Sequence, residues 1–350
     1  MKSVKVLLLA VAFVVISGLL YAQAKDPYKV FNDYLAMAKK GVAYDGAPLE
    51  GKVVGFANAL GAFPFCALVE NSIKKQLALA GCNLNQDWIS MDNQFNPMVA
   101  LQNVDTLLSR QPDILIEYQL DVKTNHIIAA KFGEAKIPVV AIDVAIPGAH
   151  LVGTNNYTVA VMAGHTMAKL IRQKWGGWDS VDLVVIMNAS APGEHPMLRS
   201  EGVADALADE FGIDSKQDPK IVRSRGGIGQ LDQAKAAMDD VLAAHPEAVN
   251  IAVTSFNEPI MMGCITAMKG AGRWNPDNKI IVTMGVDQLG QSLIRDGLSD
   301  AGVAFFPEYY GDYIVPVVAA MLTGNPVPPA IFVQNEVITK ANIDRWYPKQ

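Results

Sequence analysis

An uncharged amide and a carboxylate, Asn257-Glu258, interrupt an alternating apolar run in NIAVTSFNEPIMMG. The same interruption recurs along the chain. Asp143 ends IPVVAID, Asp287 follows KIIVTMGV, Glu117-Tyr118-Gln119 follows DILI, Asn58 follows VVGFA ahead of Phe63 and Phe65, and Arg199 lies beyond VDLVVIMN. Two carboxylates can divide general acid and base roles when their surroundings push their pKa values apart, and Asp143 with Asp287 would be such a pair. Carboxylates and amides also bind hydroxyl groups, a guanidinium fork holds two oxygens, and an aromatic face covers C–H surface. No G-x-S-x-G turn and no S-x-x-K set supplies a nucleophile,. The mixture fits binding of a neutral polyhydroxyl ligand better than turnover, and no catalytic residue is assigned.

Other chemistries find less footing. Gly46 to Lys52 (GAPLEGK) has the outline of a phosphate-binding loop, but Val53 stands where Ser or Thr is needed. It also leads into a strand, whereas a phosphate cradle leaves a strand and opens a helix. The histidines show no H-E-x-x-H spacing, so no metal and no cofactor is expected. Cys66 and Cys82 flank one helical segment, which at about 1.5 Å per residue holds them roughly 24 Å apart, far beyond the ~7 Å a disulfide spans. Buried thiols are the expectation for these two and Cys264.

The elements that must position these side chains follow from periodicity. From Lys52 onward short β-rich runs alternate with amphipathic helices, which is the pattern of parallel sheets covered on both faces. In the first helix Phe65, Leu68, Val69, Ile73, Leu77 and Ala80 fall at i, i+3, i+4 steps,. The pattern restarts after Thr154, and two α/β units of this size exceed one ordinary core. The interrupting residues therefore sit at the carboxyl ends of parallel strands, where ligands bind in such sheets. Several have a second reading. Phe65 fits the core stripe, Asp143, Asp287 and Asn257 could cap turns or helices, and Arg199 could decorate a helix surface.

The N-terminus points to a compartment. Lys2 and Lys5, the apolar run Val6 to Leu20 and the small-x-small Ala22-Gln23-Ala24 have the layout of a secretory signal peptide,. The apolar run is shorter than the ~20 residues a spanning helix needs. The net charge of −6 becomes more negative if Lys2 and Lys5 leave with the leader, so nothing marks a nucleic-acid partner,. The expected division is a signal peptide at 1–24, an N-terminal helical extension at 25–50, a first lobe of 51–154 plus 306–331, and a second of 155–305 plus 332–350.

Six stretches carry a resemblance in order: GAFPFCALVENSIKKQLALAGCNL, NPMVALQNVDTLL, IPVVAIDVAIPGAHLVGTNN, RSEGVADAL, NIAVTSFNEPIMMGCITAMKGAGR and VTMGVDQLGQSLIRDGLSDAG. Together they resemble periplasmic sugar-binding proteins of the ribose-binding type, the solute receptors of ABC importers. The resemblance implies two Rossmann-like lobes of the type I periplasmic-binding-protein kind, joined by a three-crossover hinge near Thr154, Phe306 and Phe332. It implies a sugar or polyol in the cleft between them. Phe65 would stack on the ring, Asp143 accept from hydroxyls, Arg199 donate to oxygens, and Asn257 and Asp287 close the hydrogen-bond ring, with Asn58, Phe63, Tyr118 and Phe305 completing the set. The expected partners are a membrane permease of an ABC importer and, as an alternative role, a chemoreceptor reading the liganded form. A monomer in the periplasm is expected. Three departures leave the ligand open: Val144 where ribose binders carry arginine, Cys66 in place of a second aromatic, and Phe305 in place of an amide donor. They admit a less hydroxylated or differently shaped ligand. A regulator of the lactose-repressor type would need a DNA-reading helix pair where the leader stands.

Overall fold

The computed structural model describes residues 26–189, 194–227 and 229–349, so the signal peptide expected at 1–24 lies outside the described residues. The chain enters through helix α1 (Lys29–Lys40), which ends on Gly41 in the left-handed conformation and buries Phe31 and Ala38. There follow β1 (Val54–Asn58), α2 (Pro64–Leu79), β2 (Trp88–Asp92), α3 (Pro97–Ser109), β3 (Ile114–Glu117), α4 (Val122–Ala135), β4 (Val139–Ile142) and β5 (His150–Gly153). Then come α5 (Asn156–Trp175), β6 (Leu183–Asn188), α6 (Glu194–Phe211), β7 (Ile221–Arg225), α7 (Leu231–Ala244), β8 (Ile251–Ser255), α8 (Glu258–Gly270), β9 (Lys279–Met284), α9 (Gln288–Arg295) and β10 (Ala301–Ala304). The chain closes with α10 (Gly311–Leu322), β11 (Ala330–Phe332), β12 (Glu336–Thr339) and α11 (Ile343–Trp346).

Two six-stranded sheets result, in the orders β11-β5-β4-β3-β1-β2 and β12-β10-β9-β8-β6-β7. Every pairing is parallel except β12 on β10, an antiparallel edge that the alternation of strand and helix did not announce. The strands at the centre are buried on both faces, which is why they read as continuous apolar runs instead of alternating ones. In β1, Val54 and Phe56 enter the core beneath α2 and α10, while Ala57 packs on the opposite side with Leu107 and Phe132. The second sheet likewise has a core on each face, one centred on α5 and α6 and one on α7 and α8.

Helix starts are set by caps at the strand ends. Asn96 accepts from the Met98 N–H at 2.9 Å with Pro97 at the first helical position, and Asn257 accepts from Ile260 N–H at 3.0 Å ahead of Pro259. A capping oxygen satisfies donors the first helical turn leaves free, and proline there gives up no bond. The chain passes from the first sheet to the second between β5 and α5, returns between β10 and α10, and passes over again between β11 and β12. Cys66, Cys82 and Cys264 are free and buried. Burial pushes their thiols up to about 12, about 11 and about 12 respectively. Among the described residues no His, Cys, Asp and Glu cluster could hold a metal ion, and no helix is long and apolar enough to cross a membrane.

Candidate ligand-binding site

A cavity of about 420 Å³ lies where the carboxyl ends of both sheets face each other. The first lobe supplies Leu60, Phe63 and Phe65 from the turn into α2, Phe95 after β2, Tyr118 to Asp121 after β3, and Asp143 after β4. The second supplies Asn156 from the first turn of α5, Arg199 from the second turn of α6, Gln230 before α7, Phe256 to Glu258 after β8, and Phe305 after β10. Among the described residues the lining thus combines six aromatic rings with eight polar or charged side chains from strand ends, loops and helix starts. Ligand pockets commonly have this mix, a large apolar surface with a few placed polar groups.

The aromatic wall is built from neighbours that hold one another. Gly61 N–H donates to Asp92 Oδ2 at 3.0 Å, fixing the loop that presents Phe63, and the Phe63 and Phe95 rings lie 6.1 Å apart. Phe65 meets Tyr310 edge-on at 5.6 Å and Phe305 edge-on at 6.4 Å, so it belongs both to the cavity wall and to the packing beneath it. Edge-to-face pairs at these distances are favourable because a positive ring edge meets a negative face.

Arg199 is the cation of the site. Its guanidinium lies between the Phe256 ring at 4.1 Å and the Phe305 ring at 4.7 Å. Nε donates to Asn156 Oδ1 at 2.8 Å and Nη1 donates to the Phe256 carbonyl at 2.7 Å. Among the described residues Nη2 meets no protein acceptor. Burial lowers the guanidinium pKa, and the Asp143 carboxylate acts against that shift. Sandwiching between rings fixes the plane of the fork and with it the direction of the free N–H groups.

Asp143 occupies the left-handed region with φ of 58°, a conformation that Asp tolerates better than most residues. Its Oδ1 accepts from Thr154 N–H at 2.9 Å and from the Tyr310 hydroxyl at 2.9 Å, and Oδ2 accepts from the Tyr118 hydroxyl at 2.8 Å. Burial raises its pKa, opposed by those three donors and by Arg199. Gly153 makes room for this carboxylate, because a Cβ there would come within 2.2 Å of Oδ1.

Of the residues the sequence singled out, Phe63, Phe65, Tyr118, Asp143, Arg199, Asn257 and Phe305 line the cavity together. Asn58 and Asp287 do not. Asn58 is 1% exposed and donates to Glu70 Oε2 at 2.9 Å, so it braces β1 against α2. Asp287 caps α9, accepting from Leu289 N–H at 3.2 Å, while its own N–H donates to Glu258 Oε1 at 2.9 Å. The strand-end argument could not separate the two outcomes, since a capping carboxylate and a ligand-facing one occupy the same sequence position. Glu258 is the first residue of α8 and is also 5% exposed on the cavity wall, with its carboxyl pKa raised first by burial and then by Asp287. In the stretch after β6, residues 190–193 and the His195 side chain lie outside the described residues. Phe95, Asn156 and Phe256 were not anticipated. Phe256 directly follows β8 and would have been found by starting the strand-end list one residue earlier.

The sequence model of the periplasmic binding protein domain matches residues 54–326. No curated protein matches the chain. Solved structures with the same fold include an ABC transporter solute binding protein from Mycobacterium smegmatis with bound glycerol, 19% identical over 85% of this chain and 98% of that one, TM-score 0.72. Another, from Bacillus halodurans, holds myo-inositol and is 19% identical over 85% of this chain and 97% of that one, TM-score 0.70. A third, from Actinobacillus succinogenes, holds D-allose and is 15% identical over 84% of this chain and 99% of that one, TM-score 0.70.

Proposed function

Taking as premise that this chain belongs to the periplasmic binding protein domain family, we propose that it is a periplasmic receptor that captures a sugar or sugar-like polyol between its lobes. It closes around the ligand and delivers it to the permease of an ABC importer. The observation that carries this reading is the cavity of about 420 Å³ between the facing strand ends, where an oriented guanidinium stands beside aromatic walls. The architecture serves binding: ring faces cover C–H surface while Arg199 and the strand-end amides set orientation. Residues of both lobes line one cavity, so a ligand held by both favours the closed arrangement, and the crossovers absorb the change in backbone angles. Among the described residues nothing along the cavity wall pairs a nucleophile with a base, and the reading is a receptor without turnover. The leader at its N-terminus fits export.

A thermal-shift screen of the purified protein against pentoses, hexoses, polyols and furanosyl signalling molecules tests this, because a ligand bound only by the native state raises stability as RT ln(1 + [L]/Kd). One or more of these compounds is expected to raise the melting temperature dose-dependently, and small-angle scattering is expected to show compaction with the same compound. Absence of any shift across the panel, or hydrolysis of the compound that binds, defeats the receptor reading.

A further inference from the structure

The hydrogen-bonding groups of the cavity are lopsided. Asp143 already accepts three protein donors. Asn156 Oδ1 accepts from Arg199 at 2.8 Å, Asn257 Oδ1 accepts from Ile260 N–H at 3.0 Å, and Gln119 Oε1 accepts from Asp121 N–H at 2.9 Å. The nitrogen sides of the same residues are left over. Asn156 Nδ2 reaches Thr154 O only at 3.5 Å, and Asn257 Nδ2 reaches Gly229 O only at 3.3 Å. Gln119 Nε2 is buried with no partner in a side chain that is 4% exposed on the cavity wall. The Asp121 backbone N–H fixes which end of that amide is oxygen, since a donor cannot face a donor. Arg199 Nη2 adds a further donor. Among the described residues the acceptors that remain are Asp121 Oδ2, since Oδ1 is committed to the α4 cap, the Glu258 oxygen that does not take the Asp287 N–H, and Gln230 at the exposed rim.

A hydroxyl-rich sugar brings as many donors as acceptors, and each hydroxyl hydrogen buried here without an acceptor would lose its bond to water. A ligand whose oxygens only accept would pair with the unused N–H groups and leave the aromatic wall its apolar surface. An anion fits less well, since Asp121 and Asp143 line the cavity against the guanidinium of Arg199. We propose that the cavity selects a neutral, hydroxyl-poor ring compound bearing ether or carbonyl oxygens, of the lactone or O-alkylated sugar type, and that Gln119 Nε2 is a specificity-determining donor for it. The inference rests on the receptor reading and narrows its ligand class.

Calorimetric titration with matched probes decides it. Pantolactone is set against erythritol, and 2,3,4,6-tetra-O-methyl-D-glucose against D-glucose. The hydroxyl-poor member of at least one pair is expected to bind about tenfold or more tightly than its hydroxyl-rich counterpart, a difference of about 1.4 kcal/mol. Gln119→Met is expected to weaken the preferred probe about tenfold, and to lower the ligand-free melting temperature only modestly through the lost acceptor for the Asp121 N–H,. Gln119→Glu, which puts an acceptor where the free N–H stands, is expected to lose that probe and serves as the check if the methionine variant does not fold. Erythritol and D-glucose each binding as tightly as its counterpart overturns the inference and leaves the receptor reading intact. So does undiminished probe binding by both variants. If neither the probes nor any compound of the wider panel binds, both readings fall together.

Discussion

Asp143 and Asp287 stand at equivalent strand ends of the two lobes, and their fates differ. Asp143 turns into the left-handed region, sinks beside Gly153 and gathers two tyrosine hydroxyls and a backbone N–H. Asp287 stays with extended backbone and caps the helix that follows it. The sheets that carry them have the same parallel topology, so topology delivers a carboxylate to the cleft edge and the neighbours decide its work. In the first lobe those neighbours are Tyr118 and Tyr310, which take the carboxylate as an anchor. In the second, Glu258 comes in from α8, turns its carboxyl toward Gly285, and receives the Asp287 N–H.

The contrast is testable from its strongest consequence downward. Asp143→Ala leaves two buried tyrosine hydroxyls and a backbone N–H without their acceptor and removes the charge facing Arg199. Hydrogen bonds to a charged group contribute roughly 1.5–3 kcal/mol each, so chemical denaturation is expected to show a loss on the order of 4 kcal/mol. A loss below about 1 kcal/mol would make the two aspartates equivalent after all.

Arg199→Ala should act on affinity before stability. Removing the sandwiched fork is expected to weaken the tightest ligand found in the screen by about 2 kcal/mol, roughly thirtyfold. Affinity within twofold of wild type would remove Arg199 from the site.

A titration of stability sharpens the picture of the first lobe further. Burial pushes the Glu117 carboxyl up to about 8, although the Asn93 amide pulls it the other way. Its folded pKa lies above the unfolded value of about 4.3, so its stabilising contribution is complete below that value and is lost as pH rises through about 8. Between those limits unfolding free energy should fall by up to about 1.4 kcal/mol per pH unit on account of this group. Other carboxyls raised by burial, Asp143 and Glu258 among them, tilt the whole protein the same way. The readout is therefore the difference between wild type and Glu117→Gln, which should show a flatter profile over that window. Parallel profiles would mean Glu117 is ionised in the fold. The smallest effect belongs to Asp287→Ala, where loss of a helix cap costs about 1 kcal/mol and ligand affinity should hold.

Much of this was legible beforehand because burial on both faces writes itself into a sequence. The runs around Phe56, Ile116, Val185 and Val253 could only be central parallel strands, and the residues following them had to face the cleft. Helix ends were legible to within a residue or two wherever Asn or Pro marks them, as at Asn96-Pro97. What stayed hidden depends on side-chain direction. Asn58 points back to Glu70, and Asp287 to its own helix, though both occupy strand ends. Phe95 reaches the cavity through a left-handed turn at Gln94 and Phe95, which neither residue type advertises. Gln119 was visible as a strand-end residue, but which end of its amide would be free depends on the Asp121 N–H and thus on the path of the loop.

One contact near the hinge has a mechanical consequence. The Thr154 hydroxyl lies 3.0 Å from that of Tyr310, and both residues also bond Asp143 Oδ1. Thr154 begins the first crossover and Tyr310 ends the second, so two of the three spans between the lobes are pinned at one point. Pinned in this way, the two spans are expected to move together, so a swing of one lobe against the other would engage both crossovers at once.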